Sequence, residues 1–231
     1  MPAETLERLA ENLWVATRPL PLCVGDVGMR MTVIRLAGDD LLLHSPVSLD
    51  PALREALDRT GRVRWVVGPS KVHHLFLGDY VRAYPEAELC GAPGLPQKRR
   101  DLHFQRVLGD QPVPAWGDQV RHLLVAGAPA VNEVVFLHPS TRTLLLTDFA
   151  FNVQPGERNR ARVFHWLVGA TGRFGPHRIL RATIRDRAAA RRSLETILSW
   201  DFDRVIVTHG DVLETGGKPA LRAGFGFLMR G

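Results

Sequence analysis

Four short, strand-like apolar runs in this chain each lead into a residue able to carry a proton or a metal ion, and that repetition limits the folds open to it. Leu41-Leu42-Leu43 runs into His44, Leu144-Leu145-Leu146-Thr147 into Asp148, and Val205-Ile206-Val207-Thr208 into His209. The remaining run, Val63 to Val67, is broken by Gly68-Pro69-Ser70. His73 and His74 follow, at or just before the first turn of the next helix. Sites in α/β folds gather beyond the carboxyl ends of strands. The histidines and the aspartate are therefore expected along one rim of a sheet.

The segments between these runs predict the architecture. Leu6, Leu9, Ala10 and Leu13 recur at helical spacing, so Leu6 to Trp14 predicts a short amphipathic helix. Met31 to Leu36 and Leu41 to His44 predict a hairpin across Ala37-Gly38-Asp39-Asp40. Asp50-Pro51 opens a helix that stops at Gly61, His74 to Tyr84 gives a second stopped by Pro85, and Glu88 to Gly91 a short strand. Strands are expected at Val120 to Val125, Val131 to His138, Thr143 to Thr147 and Arg204 to Thr208. Helices are expected at Arg158 to Val168, from Asp186 to Trp200, and around Pro219 to Leu228. This order is neither an alternating doubly wound sheet nor a barrel. It suits two sheets sandwiched between helices, and without repeats or linkers the 231 residues are expected to form a single domain, 1–231.

Composition removes several classes of function. At 45% hydrophobic and 23% charged the chain has globular composition. No apolar run approaches the roughly 20 residues that cross a bilayer, and Met1-Pro2-Ala3-Glu4 does not begin a signal peptide, so a cytoplasmic protein is expected. Cys23 and Cys90 are too few for a disulfide framework or a four-cysteine zinc site. The net charge of +6 is carried by arginine, with lysine only at Lys71, Lys98 and Lys218. Ten arginines between Arg158 and Arg192 face one acid, Asp186, but no recognition motif or aromatic interleaving accompanies them. They read as solvated surface, and nucleic acid is not an expected partner. Neither Ser45 nor Ser70 lies in a G-x-S-x-G elbow, and there is no P-loop or dinucleotide fingerprint.

The succession of strand ends, the histidine-bearing loop, the hairpin ending in Thr147-Asp148 and the late Thr208-His209-Gly210 resembles the metallo-β-lactamase superfamily from Met31 to Asp211. More closely, four segments resemble the bacterial family catalogued as domain of unknown function 4336. They are Arg30-Met31-Thr32-Val33-Ile34, His44-Ser45-Pro46-Val47, His73-His74-Leu75-Phe76, and Ala92-Pro93-Gly94-Leu95 with Lys98 and Asp101-Leu102. The resemblance implies a four-layer αββα sandwich with a metal site. It also exposes departures. The superfamily's H-x-H-x-D-H, laid with its last histidine on His74, puts its earlier positions on Pro69, Lys71 and His73. The next expected histidine falls within Gly127 to Glu133, where Glu133 is the one residue able to replace it. Asp148 matches the bridging aspartate, His209 the final histidine, and His44 stands roughly at the first-motif aspartate.

Half of a two-metal site is thus missing, and the resemblance implies a mononuclear centre of His73, His74, Asp148 and His209 for zinc, iron or manganese. His44 is an added ligand or a group orienting one, and Glu133 a ligand or a base; with Asp148 they are the candidate catalytic groups. Lys71, Lys98 and Arg99, with Arg100, are expected to guide a small polar or anionic substrate. Metal-assisted hydrolysis is the expected reaction. Two alternatives stand beside it: an iron-dependent oxidoreductase, and a metal-free member that binds a small molecule or a protein. Each residue also has a plainer reading, since a strand-end histidine is often only hydrogen-bonded and adjacent histidines point in different directions.

Overall fold

The computed structural model describes residues 5–23, 25–154 and 169–229. The helix expected at Arg158 to Val168 lies outside the described residues. The chain opens with a hairpin, not the helix predicted for Leu6 to Trp14. β1 (Glu7–Ala10) pairs antiparallel with β2 (Leu13–Arg18), Arg8 opposite Trp14. Asn12, at φ 59°, supplies a left-handed turn that asparagine tolerates better than most residues. β2 is then zipped along β5 (Met29–Arg35) from Leu13 opposite Ile34 to Arg18 opposite Met29, so sheet pairing overrides the helical spacing. Between them β3 (Pro21–Leu22) and β4 (Gly25–Asp26) make a small separate ribbon.

β5 returns as β6 (Asp40–His44) in the expected hairpin, Thr32 opposite His44. α1 (Pro51–Thr60) begins where the Asp50 carboxylate accepts a 2.7 Å bond from the Leu53 N–H. β7 (Arg62–Gly68), α2 (Leu77–Ala83), β8 (Glu88–Gly91), α3 (Leu95–Lys98) and β9 (Arg106–Val107) complete a seven-stranded sheet, ordered β1-β2-β5-β6-β7-β8-β9, in which β6 to β9 run parallel. α2 starts later than predicted, which leaves His73 and His74 in the turn before it.

A second sheet of four strands is ordered β10 (Arg121–Leu124), β11 (Val134–His138), β12 (Thr143–Leu146) and β13 (Arg204–Val207), the last pair parallel. Among the described residues α4 (Arg178–Thr183) and α5 (Arg187–Ser199) lie between β12 and β13, and α6 (Gly217–Gly224) and α7 (Gly226–Met229) follow β13. Side chains alternate between faces along each strand and so sort into three apolar layers. Leu41 and Leu43 pack with Leu53, Leu57 and Tyr80 under α1 and α2. Leu42 faces the other way, to meet Trp65, Phe136, Leu145 and Ile206 between the sheets. Leu144, Leu146, Val205 and Val207 pack against Leu194 and Ile197 of α5 and Leu221 of α6. The result is the αββα sandwich that the order of elements predicts. Among the described residues no helix is long and apolar enough to cross a membrane.

One buried polar residue makes this core sensitive to acid. His138 is 3% exposed at the end of β11, its Nδ1 2.8 Å from Thr141 Oγ1 and its Nε2 3.1 Å from the Ser140 hydroxyl. Burial pushes its pKa down to about 4 from an ordinary 6.5. The neutral ring's contribution is therefore complete above pH 6.5 and is lost as pH falls from there towards 4, reaching about 2 kcal/mol at pH 5. Urea unfolding at pH 7 and pH 5 should show this loss in the wild type and a shallower one in His138→Gln.

Candidate metal centre

The carboxyl ends of β6, β7, β12 and β13 meet at one edge of the sandwich, and each hands its next residues to a common cavity or to its wall. After β7, the Ser70 hydroxyl accepts from the Val72 and His73 N–H groups, a local turn that points the His73 ring inward. After β12, the chain turns through Asp148. After β13, Gly210 takes φ 98°, where a Cβ would collide with the Asn152 carbonyl, and the backbone folds sharply enough to present His209. Arg30 crosses from β5 and donates through Nη1 to the Val207 and Gly210 carbonyls at 2.8 and 2.6 Å. It ties the first sheet to the His209 turn.

Three side chains converge. His73 Nε2 lies 3.1 Å from Asp148 Oδ2, and His209 Nε2 lies 3.9 Å from Asp148 Oδ1. One ligand atom from each of the three falls within 4.8 Å of the others. Metal–ligand bonds of about 2 Å place the donor atoms of one ion roughly 3 to 4 Å apart, so the spacing suits a shared cation. His73, Asp148 and His209 thus form a group that can hold a metal ion.

The outer hydrogen bonds determine which ring atoms face inward. His209 Nδ1 is 2.6 Å from the Gly28 carbonyl, which only accepts, so Nδ1 carries the proton. Burial and the neighbouring His73 hold His209 down to about 4, so the ring is neutral and its Nε2 lone pair faces Asp148. Asp148 is also acceptor-only. Burial alone would raise it, but His73 outweighs burial and holds it at about 2. Two electron-pair donors therefore oppose each other with no proton between them, while the buried Asp148 Oδ2 has His73 Nε2 at 3.1 Å as its partner. That donor set fits a cation. Burial would lower His73, but Asp148 chiefly, with Glu133, lifts it above its ordinary value.

Ser45 completes the arrangement from the seven-stranded sheet. Its hydroxyl lies 2.9 Å from His73 Nδ1 and can donate to that nitrogen or accept from it, so it orients the ring in either tautomer. It sits at φ 58°, a left-handed conformation that is strained for serine. Ser45→Ala should weaken metal binding about 10- to 100-fold by freeing the ring. Ser45→Gly should weaken it similarly while relieving the backbone, so chelator competition and thermal unfolding will separate the two effects.

The remaining candidates have other surroundings. The Glu133 carboxylate accepts from the Thr147 and Phe149 N–H groups, each at 2.7 Å, and so clamps the turn that carries Asp148. Burial, with Asp148 nearby, raises it to about 7. His44 lies between the sheets, its ring 4.9 Å from that of Phe136, and burial and His73 push it down to about 3. His74 is outside the triad: it lines the cavity and stands 3.5 Å from Arg99 Nη1. Lys98 lines the cavity as well, with its Nζ donating to the Lys71 carbonyl at 2.7 Å. Lys71 Nζ instead donates to the Pro129 carbonyl, Arg99 to Asp101 and the His74 carbonyl, and Arg100 to the Gln97 carbonyl.

Several contributors had no readable signal in the sequence. His177 accepts from the Leu180 N–H at the start of α4 and also lines the cavity, its ring 4.6 Å from that of Phe151. Phe151 in turn stacks on His209 at 5.4 Å. Ser45 follows His44 directly, but nothing in its neighbours marks it as a partner of His73. The Gly28 carbonyl is main chain and invisible to residue typing.

The model of the family described as Domain of unknown function (DUF4336) matches residues 10–163. The chain belongs to that family. Solved structures place the DUF4336 chain in a known fold. A metallo-beta-lactamase from Erythrobacter litoralis with beta mercaptoethanol in its active site superposes with a TM-score of 0.70 at 13% identity, over 99% of this chain and 98% of that one. One from Pontibacter korlensis gives 0.67 at 11% identity, over 98% and 99%. A mono-zinc metallo-beta-lactamase from Pseudomonas aeruginosa gives 0.65 at 12% identity, over 97% and 92%. At such identities the likeness is one of fold. A comparison with curated proteins returned no similar sequence.

Proposed function

We propose that His73, Asp148 and His209 hold a single transition-metal ion and that this DUF4336 protein uses it to hydrolyse a small-molecule substrate. The observation that carries the reading is the pairing of two acceptors. The neutral Nε2 of His209 faces the ionised Asp148 across 3.9 Å, with His73 Nε2 beside the same carboxylate at 3.1 Å. A bound cation supplies Lewis acidity, polarising a substrate oxygen or making water a nucleophile near neutral pH. The chain does the positioning. Gly28 and Ser45 aim the two imidazoles, Glu133 fixes the Asp148 turn, and Phe151 covers one face of His209. His74 and Lys98 line the cavity wall, which supports a role for them in contacting substrate.

The same donor set favours a second reading. Two imidazoles and one carboxylate bind zinc in hydrolytic sites and also iron in oxygen-using ones. Elemental analysis of untagged protein, prepared without added metal, tests both. About one ion per chain is expected, falling to near zero in His209→Ala. Zinc supports hydrolysis, and iron would move the proposal to oxidation or reduction. A protein with no bound metal, whose thermal unfolding ignores both zinc and chelator, would falsify the metal centre.

A further inference from the structure

The walls around the triad have a composition that the proposed reaction does not require. The described residues have five exposed large apolar side chains: Leu22, Val72, Leu75, Val107 and Ile179. Scattered singly, such residues are ordinary, whereas gathered round a concavity they mark a binding groove. Here all but Val107 line one of two cavities that meet at the metal centre. The larger, about 430 Å³, is lined by Leu22 of the ribbon and by Leu20, Val27 and Met29 flanking it. Val72 and Leu75 of the turn after β7 line it too, with His73, Asp148 and His209 among its residues. A second, of about 320 Å³, shares Val72, Asp148 and His177 with the first and continues to Ile179 and Leu180. Among the described residues Lys98 is the one cationic side chain other than histidine lining either cavity, and its Nζ donates to the Lys71 carbonyl at 2.7 Å.

A small polar substrate would leave most of this apolar wall wet. We infer that the site takes an amphipathic small molecule, its apolar chain or ring lying against Leu22, Val72 and Leu75 and its single polar end over His73, Asp148 and His209. The larger cavity falls within the roughly 300–1,000 Å³ of pockets that enclose such ligands. The inference rests on the metal-centre reading for the polar end alone; the apolar part stands on the walls.

Straight-chain alkanoates of four, six, eight and ten carbons, titrated calorimetrically into the zinc-loaded full chain, test it. Affinity should rise about fourfold for each added methylene until the cavity is filled, with an increasingly negative heat-capacity change. Val72→Asp and Leu75→Asp alter exposed positions and should fold normally by circular dichroism, yet flatten the gradient. His209→Ala should weaken every member by a common factor and leave the gradient intact. If His209→Ala changes no affinity while the gradient persists, the metal reading fails and the amphipathic site stands. Affinity independent of chain length, no binding by any member, or a gradient untouched in both aspartate variants overturns the inference.

Discussion

Asp148→Asn should cost the protein its metal while leaving the fold in place. The substitution keeps the shape but removes the charge that faces both imidazoles, and its amide nitrogen brings a donor where donors are unwanted. A loss of about a hundredfold in affinity is expected, in line with the removal of a charged ligand from a three-residue set. Linkage makes this visible in stability. At free zinc about 1,000 times the wild-type dissociation constant, binding adds about 4 kcal/mol; a hundredfold weaker site adds only about 1.4 kcal/mol. Urea unfolding with and without zinc should therefore show a large difference in the wild type and a small one in the variant. His74→Ala is the control. Because His74 lies outside the triad, that variant should keep about one ion per chain, and a metal-free His74→Ala would show that the ligand set has been misassigned.

Phe136→Ala should be the most damaging substitution in the core, destabilising the protein by about 3 to 5 kcal/mol in denaturant titration. Phe136 is fully buried between the sheets, with His44, Trp116 and His122 rings at 4.9, 5.9 and 5.7 Å. Both sheets contribute to this layer, so the cavity cannot be filled by the movement of one side chain. The variant also removes the ring that flanks His44, whose Nε2 is buried without a partner. Water admitted there would let His44 titrate nearer its ordinary value, so its imidazole resonances should shift at a higher pH than in the wild type.

Much of the sandwich was legible because its signals are local. Asp50 and Asp186 cap the helices they were expected to cap, since a carboxylate three residues before a free N–H suffices. β6, β7, β12 and β13 are short β-branched or leucine runs bounded by turn formers, and they appear within a residue or two of expectation. The opening hairpin was not legible. Its apolar residues satisfy a helical period, and only the long pairing of β2 with β5, nonlocal in sequence, decides the matter. At the site, strand ends told which residues gather at one edge but not how each is occupied there. Glu133 and Asp148 look alike in a sequence. One is engaged by two backbone N–H groups and the other is left facing two imidazoles.

The triad draws on both halves of the molecule: His73 follows a strand of the larger sheet, while Asp148 and His209 follow strands of the smaller. Neither half alone holds the complete ligand set, so an ion bound there would act as a rivet driven after the two slabs have docked. Arg30 serves as a permanent pin at the same seam, joining the slabs through backbone carbonyls whatever occupies the rivet hole. Loading should therefore be a late event in assembly, and stripping the ion should loosen this seam before it disturbs the leucine layers behind it.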